Sequence, residues 1–344
     1  MSRVVLVTGV SQYLGSRLAR SLRAEPGVER VVGVDVVPPQ DDLGDVEFVR
    51  ADIRNPVIAK VINAAEIDTV VHMNVIATPV GAGGRTSMKE INVIGTMQLL
   101  AACQKASSVQ RLVVKSSTTV YGVSPKDPAL FTEDMEPRRL PRTGFAKDSV
   151  EVEGYVRGFA RRRPDVRVTM LRFANVFGPA ITTPLTKYFS LPVVPTVMGF
   201  DSRIQVVHED DALAALRACA VGEHNGTFNV AGDGHLMLSQ AIAKAGRVNL
   251  PLLPPFASVA RDIVRRAGLI DFSPEQVEFL KYGRGVDTTK MREVLRFEPA
   301  YTTAETFDSF ARLHQLGRVV PVDAVRLVER ELLSVAGRVS GGSS

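Results

Sequence analysis

Val4-Val-Leu-Val-Thr8-Gly9-Val-Ser-Gln12-Tyr-Leu-Gly15 is the stretch on which the fold of this 344-residue chain turns. A β-branched run enters a glycine turn, and a helical pattern carried by Leu14, Leu18 and Leu22 follows. Strand, turn and helix in that order aim backbone N–H groups and the positive end of a helix dipole at one point, where a pyrophosphate can sit. The next strand-like run, Val31-Val-Gly-Val-Asp35, ends on an acid 20 residues beyond Gly15. That is the separation expected of a carboxylate that takes ribose hydroxyls. Such an acid favours NAD over NADP, because a 2′-phosphate would meet a like charge. Gly9, Gln12, Gly15 and Asp35 are therefore the first cofactor-binding candidates. Gln12 occupies the middle position, where a small residue lets the backbone approach the phosphates; its side chain either points away or donates to a phosphate itself.

Working outward, the alternation of strand and helix continues. Val46–Val49 and Thr69–Met73 read as strands, with a helix around Val57–Ala65 between them. Met88–Gln104 is a long amphipathic pattern, Val109–Val114 a strand, Phe145–Ala160 a helix and Val166–Arg172 another strand. This rhythm predicts an α/β protein, a Rossmann-type doubly wound parallel sheet with helices on both faces. From Phe177 the texture changes, as Pro179, Pro184, Pro192 and Pro195 break the chain into short elements, and Pro251, Pro254 and Pro255 break it again. Glu209–Ala220 and Gly226–Val230 read as a return to the sheet. The expected division is a cofactor domain of residues 1–176 and 204–231, and a smaller, discontinuous C-terminal substrate region of residues 177–203 and 232–315. Residues 316–344 are expected to form a C-terminal helix (Pro321–Gly337) and a frayed tail.

Composition narrows the function classes. With 42 Lys and Arg against 37 Asp and Glu the chain is only mildly basic, at +5. The densest point, Arg161-Arg162-Arg163, closes a helix before Pro164, where cations suit the helix dipole. No aromatic residues interleave with it, which argues against a nucleic-acid face. No apolar run approaches the roughly 20 residues of a membrane span. Two cysteines far apart in apolar patterns, Cys103 and Cys219, suit reduced thiols and a cytoplasmic setting. The five histidines form no metal-ligand spacing with them, so no metal is expected. His208-Glu209-Asp210-Asp211 reads as a helix start with acids in its first turn.

Taken together, the motifs resemble the extended short-chain dehydrogenase/reductases, the NAD-dependent epimerase/dehydratase family that includes UDP-glucose 4-epimerase. The resemblance runs from Val4 to about Phe310. Thr8-Gly9 to Gly15 matches the family's cofactor loop, and Asp52-Ile53 matches the pair that meets adenine. Asn92-Val-Ile-Gly95-Thr96 matches a family helix. Ser116-Ser117-Thr-Thr-Val-Tyr121-Gly122 matches the strand end that carries the catalytic serine, here Ser117. Arg172-Phe-Ala-Asn175-Val-Phe-Gly178-Pro179 matches the turn into the substrate region, and Val207-His208, Phe228-Asn229 and Asp287-Thr-Thr-Lys290 complete the set in order. The resemblance implies transient hydride transfer to bound NAD and a nucleotide-sugar substrate near Asn175, with its diphosphate met by Arg203. It also implies a homodimer packed through helices 88–104 and 145–160.

Two positions depart from the family. Asn74 stands where alanine is usual, and Thr143 stands where a tyrosine should precede Lys147 by one helical turn. The reaction needs a phenol whose pKa, ordinarily about 10, falls beside the lysine ammonium. An aliphatic hydroxyl is far too weak an acid for that. Tyr155 lies eight residues past Lys147, about 12 Å along a helix, and Tyr121 sits nearer, at the strand end. Lys147 keeps a role in holding the nicotinamide ribose, and Ser117 can still polarise a sugar oxygen. Two readings follow: an epimerase or dehydratase with another proton-transfer group, or a catalytically silent NAD-binding scaffold or sensor.

Overall fold

The computed structural model describes residues 2–73, 83–253 and 274–314. Its centre is a seven-stranded sheet in the order β11-β6-β5-β4-β1-β2-β3, parallel throughout. The strands are β1 (Arg3–Thr8), β2 (Val28–Asp35), β3 (Glu47–Arg50), β4 (Thr69–His72), β5 (Arg111–Ser117), β6 (Arg167–Phe173) and β11 (Gly226–Val230). Side chains alternate across the pleat, so each strand feeds two cores. Val5, Val7, Val71, Val113 and Leu171 meet helices α1 (Tyr13–Arg23) and α7 (Glu209–Val221) on one face. Leu6, Val70, Leu112 and Val114 meet α2 (Val57–Ala64), α4 (Thr96–Lys105) and α5 (Gly144–Arg162) on the other. This is the Rossmann-type doubly wound arrangement expected of the sequence, and it collects the carboxyl ends of β1, β2, β4 and β5 along one edge. Cys103 and Cys219 are buried and unpaired, one in each core, and burial pushes both thiols up to about 12.

The segment expected as one regular helix over Met88–Gln104 is different. It starts earlier, as α3 (Arg85–Lys89), widens into a π-helical turn over Glu90–Gly95, and resumes as α4. Just past the π turn the Thr96 hydroxyl donates to the Asn92 carbonyl at 2.5 Å. Gly95 permits close packing here, since a Cβ there would lie 2.8 Å from Cδ1 of Ile53.

The proline-punctuated part forms a smaller layer. Pro184 opens α6 (Pro184–Ser190) inside a Thr183/Thr186 capping box. β8 (Val193–Val197) pairs with β13 (Val248–Leu252), each carrying a proline, as only a two-stranded ribbon allows. β9 (Arg203–Ile204) lies between β12 (Leu236–Met237) and β14 (Gly283–Arg284), and β7 (Asn175–Phe177) pairs with β10 (Val206–His208). Helices α8 (Leu238–Lys244), α9 (Pro274–Tyr282), α10 (Thr289–Glu293) and α11 (Thr303–Leu313) complete it. Phe177, Phe189, Phe307 and Phe310 form its aromatic core, with ring centroids 5.0 to 6.4 Å apart. Asn74 and the expected C-terminal helix and tail, residues 316–344, lie outside the described residues.

Candidate active site

The β1–α1 turn has the geometry that anion binding needs. Gly9 adopts φ 77°, a left-handed conformation that favours glycine. Gln12 donates its N–H back to the Gly9 carbonyl at 3.1 Å, closing the turn. A Cβ on Gly15 would stand 2.1 Å from the Gly9 oxygen, so only glycine fits where α1 crosses the loop. The first turn of α1 carries no acidic residue and no side-chain cap, which leaves its N–H groups for a ligand. Gln12 is exposed at the N-cap and its side chain makes no capping bond.

Asp35 is buried at the end of β2. One of its oxygens accepts from the Ser11 N–H at 3.0 Å and from the Ser11 hydroxyl at 2.6 Å; the other accepts from the Val36 N–H. Its carboxylate is thus fixed against the glycine turn. The glycine spacing alone does not single out Ser11; a serine inside a glycine turn followed by a strand-end acid is the signal for it. At the next strand end Asp52 is gripped by Arg54, which holds its carboxyl below the usual range. Ile53, beside it, is buried against Gly95.

At the ends of β4 and β5 the site becomes more enclosed. His72 lies between the hydroxyls of Thr8 (2.9 Å) and Thr96 (2.8 Å), fully buried. Burial, and then the charge of Lys115, push its pKa down to about 4. Ser117, half-buried, accepts the Thr119 N–H at 3.2 Å and caps a short 3-10 turn, Thr118–Tyr121. Lys115 precedes it by two residues and so shares its face of the strand. Burial pushes the Lys115 ammonium down to about 8, and among the described residues no carboxylate pairs with it. Neither composition nor periodicity marked this lysine out.

Tyr121 is tied into the fold. Its ring is fully buried and stacked on Phe131, its hydroxyl donates to Asn229 Oδ1 at 2.8 Å and accepts from Arg172 at 2.8 Å, and burial raises its pKa. Arg172 in turn is clamped by both oxygens of buried Glu153 on α5, which also takes the Ser116 hydroxyl. That network makes Tyr121 a structural residue. Tyr155 is exposed on α5.

Thr143 is the N-cap residue of α5, exposed, with its carbonyl accepting the Lys147 N–H. Its hydroxyl donates to Glu275 Oε1 on α9. Lys147 is half-exposed, 3.7 Å from Glu151. Below them Arg85 forks onto Asp148 with two bonds of 2.6 Å and reaches the Gly144 carbonyl, pinning the start of α5 to α3. Asn175 begins β7, half-buried. Arg203 lies exposed on β9, its guanidinium 3.5 Å from the Ala129 carbonyl, and Gly283 must lack a side chain because a Cβ there would meet the Arg203 backbone at 2.3 Å. His208-Glu209-Asp210-Asp211 forms the start of α7, with His208 at the N-cap accepting the Asp210 N–H. Among the described residues no three His, Cys, Asp or Glu side chains are grouped to hold a metal ion. No helix of the described residues is long and apolar enough to cross a membrane.

Residues 5–231 match the model of the NAD dependent epimerase/dehydratase family. An uncharacterized protein of Mycobacterium tuberculosis is 49% identical over 341 residues, covering 98% of this chain and 90% of that protein. Among solved structures, UDP-glucose 4-epimerase of Thermotoga maritima with UDP-glucose superposes with a TM-score of 0.70 at 19% identity, covering 91% of this chain and 98% of the other. UDP-glucuronic acid 4-epimerase of Bacillus cereus in complex with NAD gives 0.69 at 18% identity, covering 91% and 98%. dTDP-glucose 4,6-dehydratase of Bacillus anthracis in complex with NAD gives 0.67 at 17%, covering 91% and 97%. These structures share the fold of the chain.

Proposed function

Because the chain belongs to the NAD-dependent epimerase/dehydratase family, we propose that it binds NAD at the β1–α1 turn and acts on a sugar nucleotide as an epimerase or dehydratase. The observation that carries this reading is Asp35, buried and held by Ser11 against a turn in which Gly15 has no room for a Cβ. A carboxylate so placed accepts two ribose hydroxyls and repels a 2′-phosphate, while the free N–H groups of α1 face a pyrophosphate.

When bound, the nicotinamide supplies a hydride acceptor that later returns the hydride. The chain's own residues do the rest. Asp52 and Ile53 border the adenine, Lys147 donates to the nicotinamide ribose, and Ser117 polarises the oxygen of the reacting sugar carbon. Asn175 and Arg203 hold the substrate, Arg203 by its diphosphate. Residues 1–176 and 204–231 carry the cofactor, and residues 177–203 and 232–315 the substrate. The buried thiols of Cys103 and Cys219 suit work in the reducing cytoplasm. A homodimer is favoured by Ile94, Met97 and Tyr155, large apolar side chains exposed on the π turn, α4 and α5; a monomer mass in solution would refute it.

Thr143 favours a second reading, a silent NAD-binding scaffold or sensor of the same fold, because its hydroxyl cannot do a phenol's work. The two separate in one experiment. Bound NAD(H) is released from the purified protein and identified, and UDP-glucose/UDP-galactose interconversion is assayed beside a Thr143→Tyr variant. Turnover by the wild type supports the enzyme; NAD bound, no wild-type turnover and activity in the variant support the scaffold.

A further inference from the structure

The proposed reaction leaves one task without a residue, removal of the proton from the sugar hydroxyl. Tyr121 is locked in the Arg172 network and Tyr155 is exposed well along α5. The residue that does meet position 143 comes from the other end of the chain. Glu275, in the first turn of α9, accepts the Thr143 hydroxyl on Oε1. Its second oxygen, Oε2, is buried and has no hydrogen-bond partner among the described residues. A buried carboxylate oxygen without a donor is costly, and a native fold keeps one where it serves a ligand or a reaction. α9 packs on β8 and β14, the layer that carries Arg203 through β9. Glu275 thus comes from the substrate side of the molecule, and Thr143 from the start of the helix that bears Lys147.

We propose that Glu275 is the proton acceptor of this chain, with Thr143 as the hydroxyl that positions it. The inference rests on the epimerase/dehydratase reading above. A threonine hydroxyl extended by one hydrogen bond puts a carboxylate at much the same reach from the backbone of position 143 as a tyrosine hydroxyl. One oxygen is spent on Thr143, and Oε2, which has no donor among the described residues, is left for a substrate hydroxyl once the carboxylate rotates to uncover it. Arg85, which pins the start of α5, is near enough to interact electrostatically with Glu275. In the step itself the sugar C–H bond breaks with its electron pair passing to the oxidised nicotinamide. The O–H bond breaks with its proton passing to Oε2, and the C–O bond becomes C=O. Return of the hydride reverses each transfer and leaves Glu275 ionised.

The test uses the full-length protein with NAD, UDP-glucose and UDP-galactose. Glu275→Gln should lower turnover about a hundredfold to ten-thousandfold, the usual worth of a positioned base. Its affinities for NAD and for UDP-glucose, measured by titration calorimetry, should stay within about threefold of wild type. Glu275→Ala should regain turnover as formate is added, a response that a purely structural tether between α5 and α9 would not give. Should either variant fail to fold by circular dichroism, Thr143→Val serves instead, since Thr143 is exposed; it should lower turnover at least tenfold with NAD affinity unchanged. Wild-type turnover with Glu275→Gln equally active would overturn the proposal and leave the reading of the site standing. A wild type that binds NAD yet turns over no sugar nucleotide in either epimerase or dehydratase assays would overturn both.

Discussion

Acidification should unlock the fold at His72, and the size of the effect follows from its surroundings. The Thr96 hydroxyl gives its proton to the Asn92 carbonyl, so at the 2.8 Å contact it accepts, and His72 Nε2 carries the hydrogen. The Thr8 oxygen already accepts the Met73 N–H and turns its own proton to Nδ1. The network therefore fixes a neutral imidazole, and a second proton at Nδ1 would face the Thr8 hydroxyl inside a dry core. Burial, with the Lys115 charge second, lowers the pKa from 6.5 to about 4. Between those values the unfolded chain binds a proton that the folded chain refuses, so stability falls as pH falls. The contribution is complete above pH 6.5 and is lost by about pH 4, a difference of about 3 kcal/mol. That is a large share of the roughly 5–15 kcal/mol of a typical domain. Urea unfolding followed by circular dichroism at steps from pH 7 to pH 4 reads it, with His72→Asn as the non-titrating reference. Both proteins share every carboxylate and every other histidine, so the wild-type curve should fall about 3 kcal/mol further. Parallel curves would refute the reasoning and mean that water reaches the imidazole.

Other consequences are as direct. Gly15→Ala forces a Cβ to 2.1 Å from the Gly9 oxygen; it should cost about 1–3 kcal/mol of stability and abolish NAD binding in a calorimetric titration. Arg172→Met takes two charge-assisted hydrogen bonds from buried Glu153, leaving it only Arg157 at 3.1 Å and the Ser116 hydroxyl, and removes a partner of Tyr121, so thermal unfolding should show a loss of about 1.5–3 kcal/mol. Lys115→Met should stabilise the protein at pH 7. Its ammonium, ordinarily at 10.5, is pushed by burial to about 8, so the folded state binds fewer protons between those values. Wild-type stability therefore gains about 3 kcal/mol as pH rises through that window, and the Met variant should lack the gain in melting curves.

The sheet was legible because parallel strands buried on both faces must be nearly continuous β-branched runs, and Val4–Val7, Val31–Val34 and Thr69–His72 are such runs. The cofactor turn was legible because its requirements are local: Gly9 for a left-handed φ, Gly15 for close approach, and Asp35 one βα unit later. What escaped depends on contacts between distant segments. The π turn at Glu90–Gly95 leaves the apolar spacing of the segment unbroken, so periodicity does not reveal it. Tyr121 looks available in the sequence, and only the arrival of Asn229 and Arg172 removes it from the reaction. Glu275 is 132 residues from the hydroxyl it meets, and no spacing rule connects them. Lys115 reads as a routine polar interruption of β5 until the fold buries its ammonium.

The central claim is that the Gly9–Gly15 turn and Asp35 form a site for NAD, and calorimetric titration of the purified, cofactor-stripped protein with NAD and NADP tests it most directly. The account predicts saturable one-to-one binding of NAD and at least tenfold weaker binding of NADP, with Asp35→Ala weakening NAD by about 1.5–3 kcal/mol, the worth of hydrogen bonds to a charged group. Binding of neither nucleotide, or NADP bound as tightly as NAD, would contradict it.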